Sequence, residues 1–213
     1  MNLKHSIQKR LPLRNGTWQS MKTVWTTVRG RRFRRLPIVI IIGQNKTGTT
    51  SLAGAFRAIG TNHNTINPIG YKWFYAQEWS RIVRMLRRHD TVDDWPWNRP
   101  EVVQAIVAER HRLPPLRFIL TTREPQSWLK SHKNFSLQSG HPQKMPEARG
   151  MDDETFIQRV LLDHNEAMRS IVPPELLLEG GVGDPGFHER VREFTGYPIG
   201  EIPWLNKTSV KVH

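Results

Sequence analysis

The stretch Pro37-Ile-Val-Ile-Ile-Ile-Gly43-Gln-Asn-Lys46-Thr-Gly48-Thr-Thr50-Ser-Leu52 decides the fold of this chain. Five successive β-branched residues with no polar residue between them read as a strand buried on both faces, because a half-buried strand would alternate. Residues 43–48 carry the Gly-x4-Gly spacing of a phosphate-binding loop. A helix is predicted over 49–58, ended by Gly60. The order is therefore strand, phosphate loop, helix.

Working outward, apolar periodicity predicts one helix over 71–89 and another from Pro100 to about residue 112. Leu116-Arg-Phe-Ile-Leu-Thr-Thr122 reads as the second central strand. It ends at Arg123 and leads into a helix over 125–134. Residues 135–150, rich in Gly, Pro, His and Lys, are expected to form a mobile lid. A long helix over 152–172, a short strand over 176–178 and a helix over 185–195 complete the chain. Short β-branched runs alternating with helices imply an α/β fold, a three-layer α/β/α sandwich with a mainly parallel central sheet of the P-loop NTPase-like kind.

Composition narrows the function. The 213 residues contain no cysteine, which removes thiolate catalysis, cysteine-based zinc sites and disulfides, and suits a cytoplasmic setting. No apolar run approaches the roughly 20 residues of a spanning helix, and the N-terminus has no secretory pattern. The net charge of +13 is unevenly spread: residues 1–36 hold ten Lys and Arg and no Asp or Glu, leaving 22 basic against 19 acidic residues. The division expected is a basic, flexible arm over 1–36, suited to an anionic surface, and a catalytic domain over 37–213. No His, Asp and Glu set has metal-ligand spacing, so no metal is expected.

The chemistry of the loop lies in its cation. An ATP-binding loop has its lysine directly after the second glycine, where this chain has Thr49; the lysine here, Lys46, stands inside the loop. Backbone N–H groups of the loop and of the first helical turn form a nest for a phosphate, and Thr47, Thr49, Thr50 and Ser51 offer hydroxyl groups. Arg123, at the ligand edge of the sheet, can fork onto a second phosphate, with Ser131 two turns into the next helix.

Lys46-Thr-Gly-Thr-Thr-Ser-Leu52 resembles the 5′-phosphosulfate loop of sulfotransferases that use 3′-phosphoadenosine 5′-phosphosulfate (PAPS). Arg123-Glu-Pro-Gln-Ser-Trp-Leu-Lys-Ser131 resembles the family's 3′-phosphate motif, an arginine with a serine eight residues on. Asp94-Trp-Pro96, His164-Asn165, Pro173-Pro-Glu-Leu-Leu-Leu178, Phe194-Thr-Gly196 and Pro203-Trp-Leu-Asn-Lys207 extend the resemblance over residues 37–208. It implies transfer of a sulfuryl group from PAPS to a hydroxyl or amine of a small-molecule, sugar or lipid acceptor. It also implies Lys46 as the catalytic cation, Asp94 as general base, and Lys46, Thr47, Gly48, Thr49, Thr50, Ser51, Arg123 and Ser131 as nucleotide ligands. Many members follow the loop threonines with an aromatic residue that stacks on adenine; here Ser51 takes that place.

For Asp94 a helix cap is the competing reading, and Asp93 and His89 are weaker candidates for the base. His164 on an apolar face reads as a hydrogen-bonded core histidine, and His141 and Lys207 as surface groups. Trp73, Trp79, Trp95, Trp97 and Trp128 read as core or pocket wall. The competing functions are a P-loop kinase using ATP and magnesium, and a basic nucleic-acid-binding protein. Both leave the position of Lys46 or the role of Arg123 without explanation.

Overall fold

The computed structural model describes residues 30–205. Five strands form one sheet in the order β2-β3-β1-β4-β5, with every neighbouring pair parallel. They are β1 (Ile38–Ile41), β2 (His63–Asn64), β3 (Thr91–Asp93), β4 (Leu116–Thr121) and β5 (Leu177–Gly180). The predicted α/β/α sandwich is the observed architecture.

The isoleucine run explains the layering. Ile38, Ile40 and Ile42 point into one core with helices α3 (Trp79–Leu86), α4 (Pro100–Ala108) and α7 (Asp163–Ile171). Val39 and Ile41 point into the other, against α1 (Thr49–Ala58) and α8 (Phe187–Thr195). Each fully buried aliphatic or aromatic side chain, such as Leu52 or Phe56 of α1, contributes about 1.5–3 kcal/mol. With β1 central, the chain leaves it toward β3 on one side and reaches β4 on the other. The crevice at the carboxyl ends of β1 and β4 is therefore the switch point where an open α/β sheet receives ligands.

Several elements differ from the sequence reading. The helix expected over 71–89 is two: α2 (Pro68–Tyr75), capped by Asn67 with its side chain accepting from Ile69 and Gly70 N–H, and α3. Gln77 adopts a left-handed conformation (φ 55°) between them, which ends the first helix and turns the chain. Strands β2 and β3 escape periodicity because they are two and three residues long and largely polar. The helix predicted over 125–134 continues as α5 (Pro125–Gln138). The long helix predicted over 152–172 starts with Asp152 as cap, accepting from Thr155 N–H. It then runs as α6 (Asp153–Phe156), a π-helical stretch Ile157–Leu162, and α7. The segment expected to be a mobile lid folds into two 3-10 turns, Pro142–Lys144 and Glu147–Arg149, tied to α5 by the Lys133–Glu147 ion pair.

Of the basic arm, residues 1–29 lie outside the described residues, whereas 31–36 pack on the body. Asp90 is fully buried and accepts hydrogen bonds from the backbone N–H of Arg32, Phe33 and Asn62 at 2.8–2.9 Å, with Arg31 Nε at 3.5 Å. Phe33 meets Tyr197 edge-on at 5.3 Å. Among the described residues no helix is long and apolar enough to cross a membrane.

Candidate active site

The phosphate loop bends over the carboxyl end of β1, and its geometry is set by groups that hold it from behind. Trp128 Nε1 donates to Asn45 O at 2.8 Å, and Arg123 Nη1 donates to Lys46 O at 3.2 Å. Gln44 Nε2 donates to Val160 O at 2.9 Å, so the loop is also fastened to the π-helical stretch, where an extra residue per turn frees a carbonyl. His164 Nε2 donates to Ile42 O at 2.8 Å just before the loop, the core role expected for it. Burial and this bond act oppositely on His164, and burial prevails, lowering its pKa.

Two positions carry the backbone constraint. Lys46 lies in the left-handed region (φ 74°), a conformation that a non-glycine residue holds only when its surroundings impose it. Gly48 has φ 108°, and a Cβ there would lie 2.5 Å from Val182 Cγ2. Gly48→Ala is accordingly expected to cost about 1–3 kcal/mol and to weaken phosphate binding. A Gly48→Ala/Val182→Ala double variant should recover the steric part of the loss. Thermal unfolding checks both, and an unchanged melting temperature in Gly48→Ala would overturn this account.

A cavity of about 840 Å³ opens at the switch point. Its lining includes Lys46, Thr47, Gly48, Thr49, Thr50, Ser51, Arg123 and Ser131, so the eight residues singled out as nucleotide ligands converge on one space. Their side chains do not all face it freely. Thr47 is buried, its hydroxyl donating to Gln44 O at 2.6 Å and lying 2.7 Å from Thr121 Oγ1; it shapes the loop. Ser51 is buried and accepts from Leu205 N–H at 3.0 Å. Arg123 Nε donates to Ser127 Oγ at 3.1 Å, so Ser127, which sequence reading missed, orients the guanidinium from one helical turn away.

Among the described residues, Lys46 is the only lysine lining the cavity. Its ammonium sits over the Phe135 ring, 3.2 Å from the centroid, a cation–π contact that steers the flexible chain. Burial first, then Arg123 and Lys144, lower its pKa to about 8, against the opposing pull of Asp94. A group so placed binds a negative charge strongly, because anion binding relieves both its desolvation and its cationic neighbours.

Asp94 follows β3 directly, at the same sheet edge. It is not a helix cap: Arg99 precedes α4, and the Asp94 carboxylate accepts from the adjacent Trp95 N–H at 2.9 Å with its backbone in the left-handed region (φ 61°). Burial and then the neighbouring Asp93 push its pKa up to about 6, opposed by the Trp95 N–H and by Lys144 and Lys46. Tyr71 stacks on Trp95, the residue after Asp94, with centroids 3.7 Å apart. The two weaker candidates fall away. Asp93 is engaged with His63, Nε2 to Oδ1 3.0 Å. His89 lies at the amino edge of the sheet, and burial, then His63 and Arg88, push it down to about 3.

The tryptophans divide as expected. Trp97 and Trp128 are fully buried, and Trp73 and Trp79 pack against the core. His141 borders the first 3-10 turn beside Gln143. Lys207 lies outside the described residues. Sequence reading did not identify as cavity wall Gly181, Val182, Gly183 and Asp184 after β5, or Trp204 and Leu205. Their only signal was the Pro203-Trp-Leu stretch, which carries no periodicity.

No curated protein matches the chain. The family model described as a sulfotransferase domain matches residues 38–152, which run from β1 through the phosphate loop, Asp94, Arg123 and Ser131. That match covers more than half of the chain, and the protein belongs to the sulfotransferase-domain family, transferases of sulfuryl groups.

Proposed function

We propose that the protein transfers the sulfuryl group of PAPS to a hydroxyl or amine of a small-molecule, sugar or lipid acceptor. The observation that carries this reading is the cavity lysine Lys46, set inside the phosphate loop, with the guanidinium of Arg123 fastened to the same loop. An ATP-binding loop needs its lysine one turn later and a hydroxyl for magnesium. Two separate cations, Lys46 and Arg123, match a nucleotide with phosphates at both 5′ and 3′ positions.

In this reading the acceptor oxygen attacks sulfur as the bond from sulfur to the 5′-phosphate oxygen breaks, and the electron pair stays on that oxygen. Lys46 and the first-turn N–H groups of α1 stabilise the charge that develops there. Asp94 takes the acceptor proton. Its raised pKa brings it closer to that of the proton it must remove, while leaving it ionised at neutral pH. Both groups belong to the same sheet edge, Lys46 after β1 and Asp94 after the neighbouring β3.

Two measurements test the reading. Calorimetric titration should show tight binding of PAP, the desulfated nucleotide, that is lost in a Lys46→Ala/Arg123→Ala variant; binding of ATP with magnesium and not PAP would favour the kinase. The pH dependence of kcat/KM should be bell-shaped. Asp94 is active as the carboxylate, so activity rises as pH increases through about 6. Lys46 is active as the cation, so activity falls as pH passes about 8. Asp94→Asn should remove the acid limb and lower kcat about 10²–10⁴-fold. An unchanged profile would assign the base elsewhere.

A further inference from the structure

The cavity lining carries two chemically different sets of residues. Lys46, Arg123 and the first turn of α1 suit phosphates; Gly181–Gly183, Asp184, Trp204 and Leu205 form the other set. Among the described residues Trp204 is the only aromatic one in the lining, and it remains 53% exposed. A single exposed aromatic is ordinary on a protein surface. This one is held in place.

Three contacts fasten the strap that carries it. Leu205 N–H donates to Ser51 Oγ at 3.0 Å. Gly54 leaves the space the strap occupies, since a Cβ there would lie 2.7 Å from Leu205 Cδ1 and 3.5 Å from Pro203 Cγ. Gly183 lets the indole settle on the loop after β5, where a Cβ would approach Trp204 Cζ3 to 3.1 Å. A positioned, partly exposed indole in the wall of a cavity that also holds Lys46 and Arg123 is what a flat heteroaromatic group attached to phosphates requires, because stacking needs a fixed π-face and little else.

Resting on the nucleotide reading above, we propose that Trp204 is the platform on which the adenine base stacks, and that Ser51 is a positioning residue acting through it. The position directly after the loop threonines, which many relatives fill with an aromatic residue, here holds a small hydroxyl. That hydroxyl recruits an aromatic residue from about 150 residues further along the chain. Because every purine offers a π-face, stacking alone implies modest discrimination between adenine and guanine.

The test titrates PAP and inorganic pyrophosphate, a probe with phosphates and no base, against the full-length protein and its Trp204→Ala, Trp204→Phe and Ser51→Ala variants. PAP affinity is expected to fall about 10- to 100-fold in Trp204→Ala and to return to within about threefold of wild type in Trp204→Phe. Ser51→Ala should fall about three- to tenfold, through the strap. Pyrophosphate affinity should be the same in the wild type and both Trp204 variants. PAP should also quench tryptophan fluorescence in the wild type more than in Trp204→Phe. Unchanged PAP affinity in Trp204→Ala, or a parallel loss of PAP and pyrophosphate, overturns the platform while leaving the nucleotide reading intact. A wild-type protein that ignores PAP overturns both.

Discussion

Lys46→Ala is expected to lower kcat with PAPS by about 10²–10³-fold, the loss typical of removing one preorganised donor from a developing oxyanion. The reason lies in the balance of forces on this ammonium. Burial and the nearby Arg123 and Lys144 make the cation costly in the resting protein, bringing its pKa to about 8. Charge developing on the bridging oxygen turns that cost into attraction, so the interaction is stronger in the transition state than in the ground state, the condition for raising kcat. The variant should therefore lose kcat and kcat/KM together, with a smaller change in PAP affinity. Its pH profile should lose the alkaline limb near 8, because no other lysine among the described residues lines the cavity. Folding should survive, since the left-handed backbone at this position treats alanine and lysine alike. Single-turnover kinetics with PAPS, beside a melting curve, make the measurement. Activity within about threefold of wild type would remove Lys46 from the chemistry.

The largest stability effect is expected at the opposite edge of the sheet. Asp90→Ala should destabilise the protein by about 3–5 kcal/mol, because it strips three backbone N–H groups and the buried Arg31 of a fully buried carboxylate. For a domain of this size that corresponds to a melting temperature lower by about 6–20 °C. Asp90→Asn, which keeps acceptor capacity and loses the charge, should lie between. Because Asp90 stands before β3 and the cavity lies beyond the strands' carboxyl ends, the folded variant should bind PAP with the wild-type constant at low temperature. A melting temperature within 2 °C of wild type would mean that residues 31–36 do not depend on Asp90 for their docking.

The two experiments separate chemistry from architecture, and so does the comparison of sequence with structure. The isoleucine run before Gly43 was legible as a two-sided strand because burial on both faces leaves a local signature, an unbroken β-branched block. Lys46 and Arg123 were legible for a related reason. Each directly follows a strongly hydrophobic strand, and parallel strands in one sheet bring their carboxyl ends to one edge, so two distant segments become neighbours by topology alone. Asp94 was legible only as a candidate, because the strand preceding it is three residues long and polar; its coupling to Lys46 depends on β3 lying beside β1.

What periodicity could not carry are the contacts made by irregular backbone. The π-helical carbonyl of Val160 that holds Gln44 and the buried turn of Thr47 toward Thr121 each depend on a partner far away in the chain. Ser51 shows the limit most clearly. Its residue type suggests a free hydroxyl beside a phosphate loop, yet its partner is Leu205, 154 residues away. The sequence by itself determined the layered α/β sandwich and the placing of Lys46 and Arg123 after two strands of one sheet, because strand hydrophobicity and loop spacing are local properties. Only the tertiary structure decided which hydroxyls face the cavity, what raises Asp94 and lowers Lys46, and that Trp204 closes the wall, because burial and hydrogen-bond partners are set by chain segments that meet only once the sheet has formed.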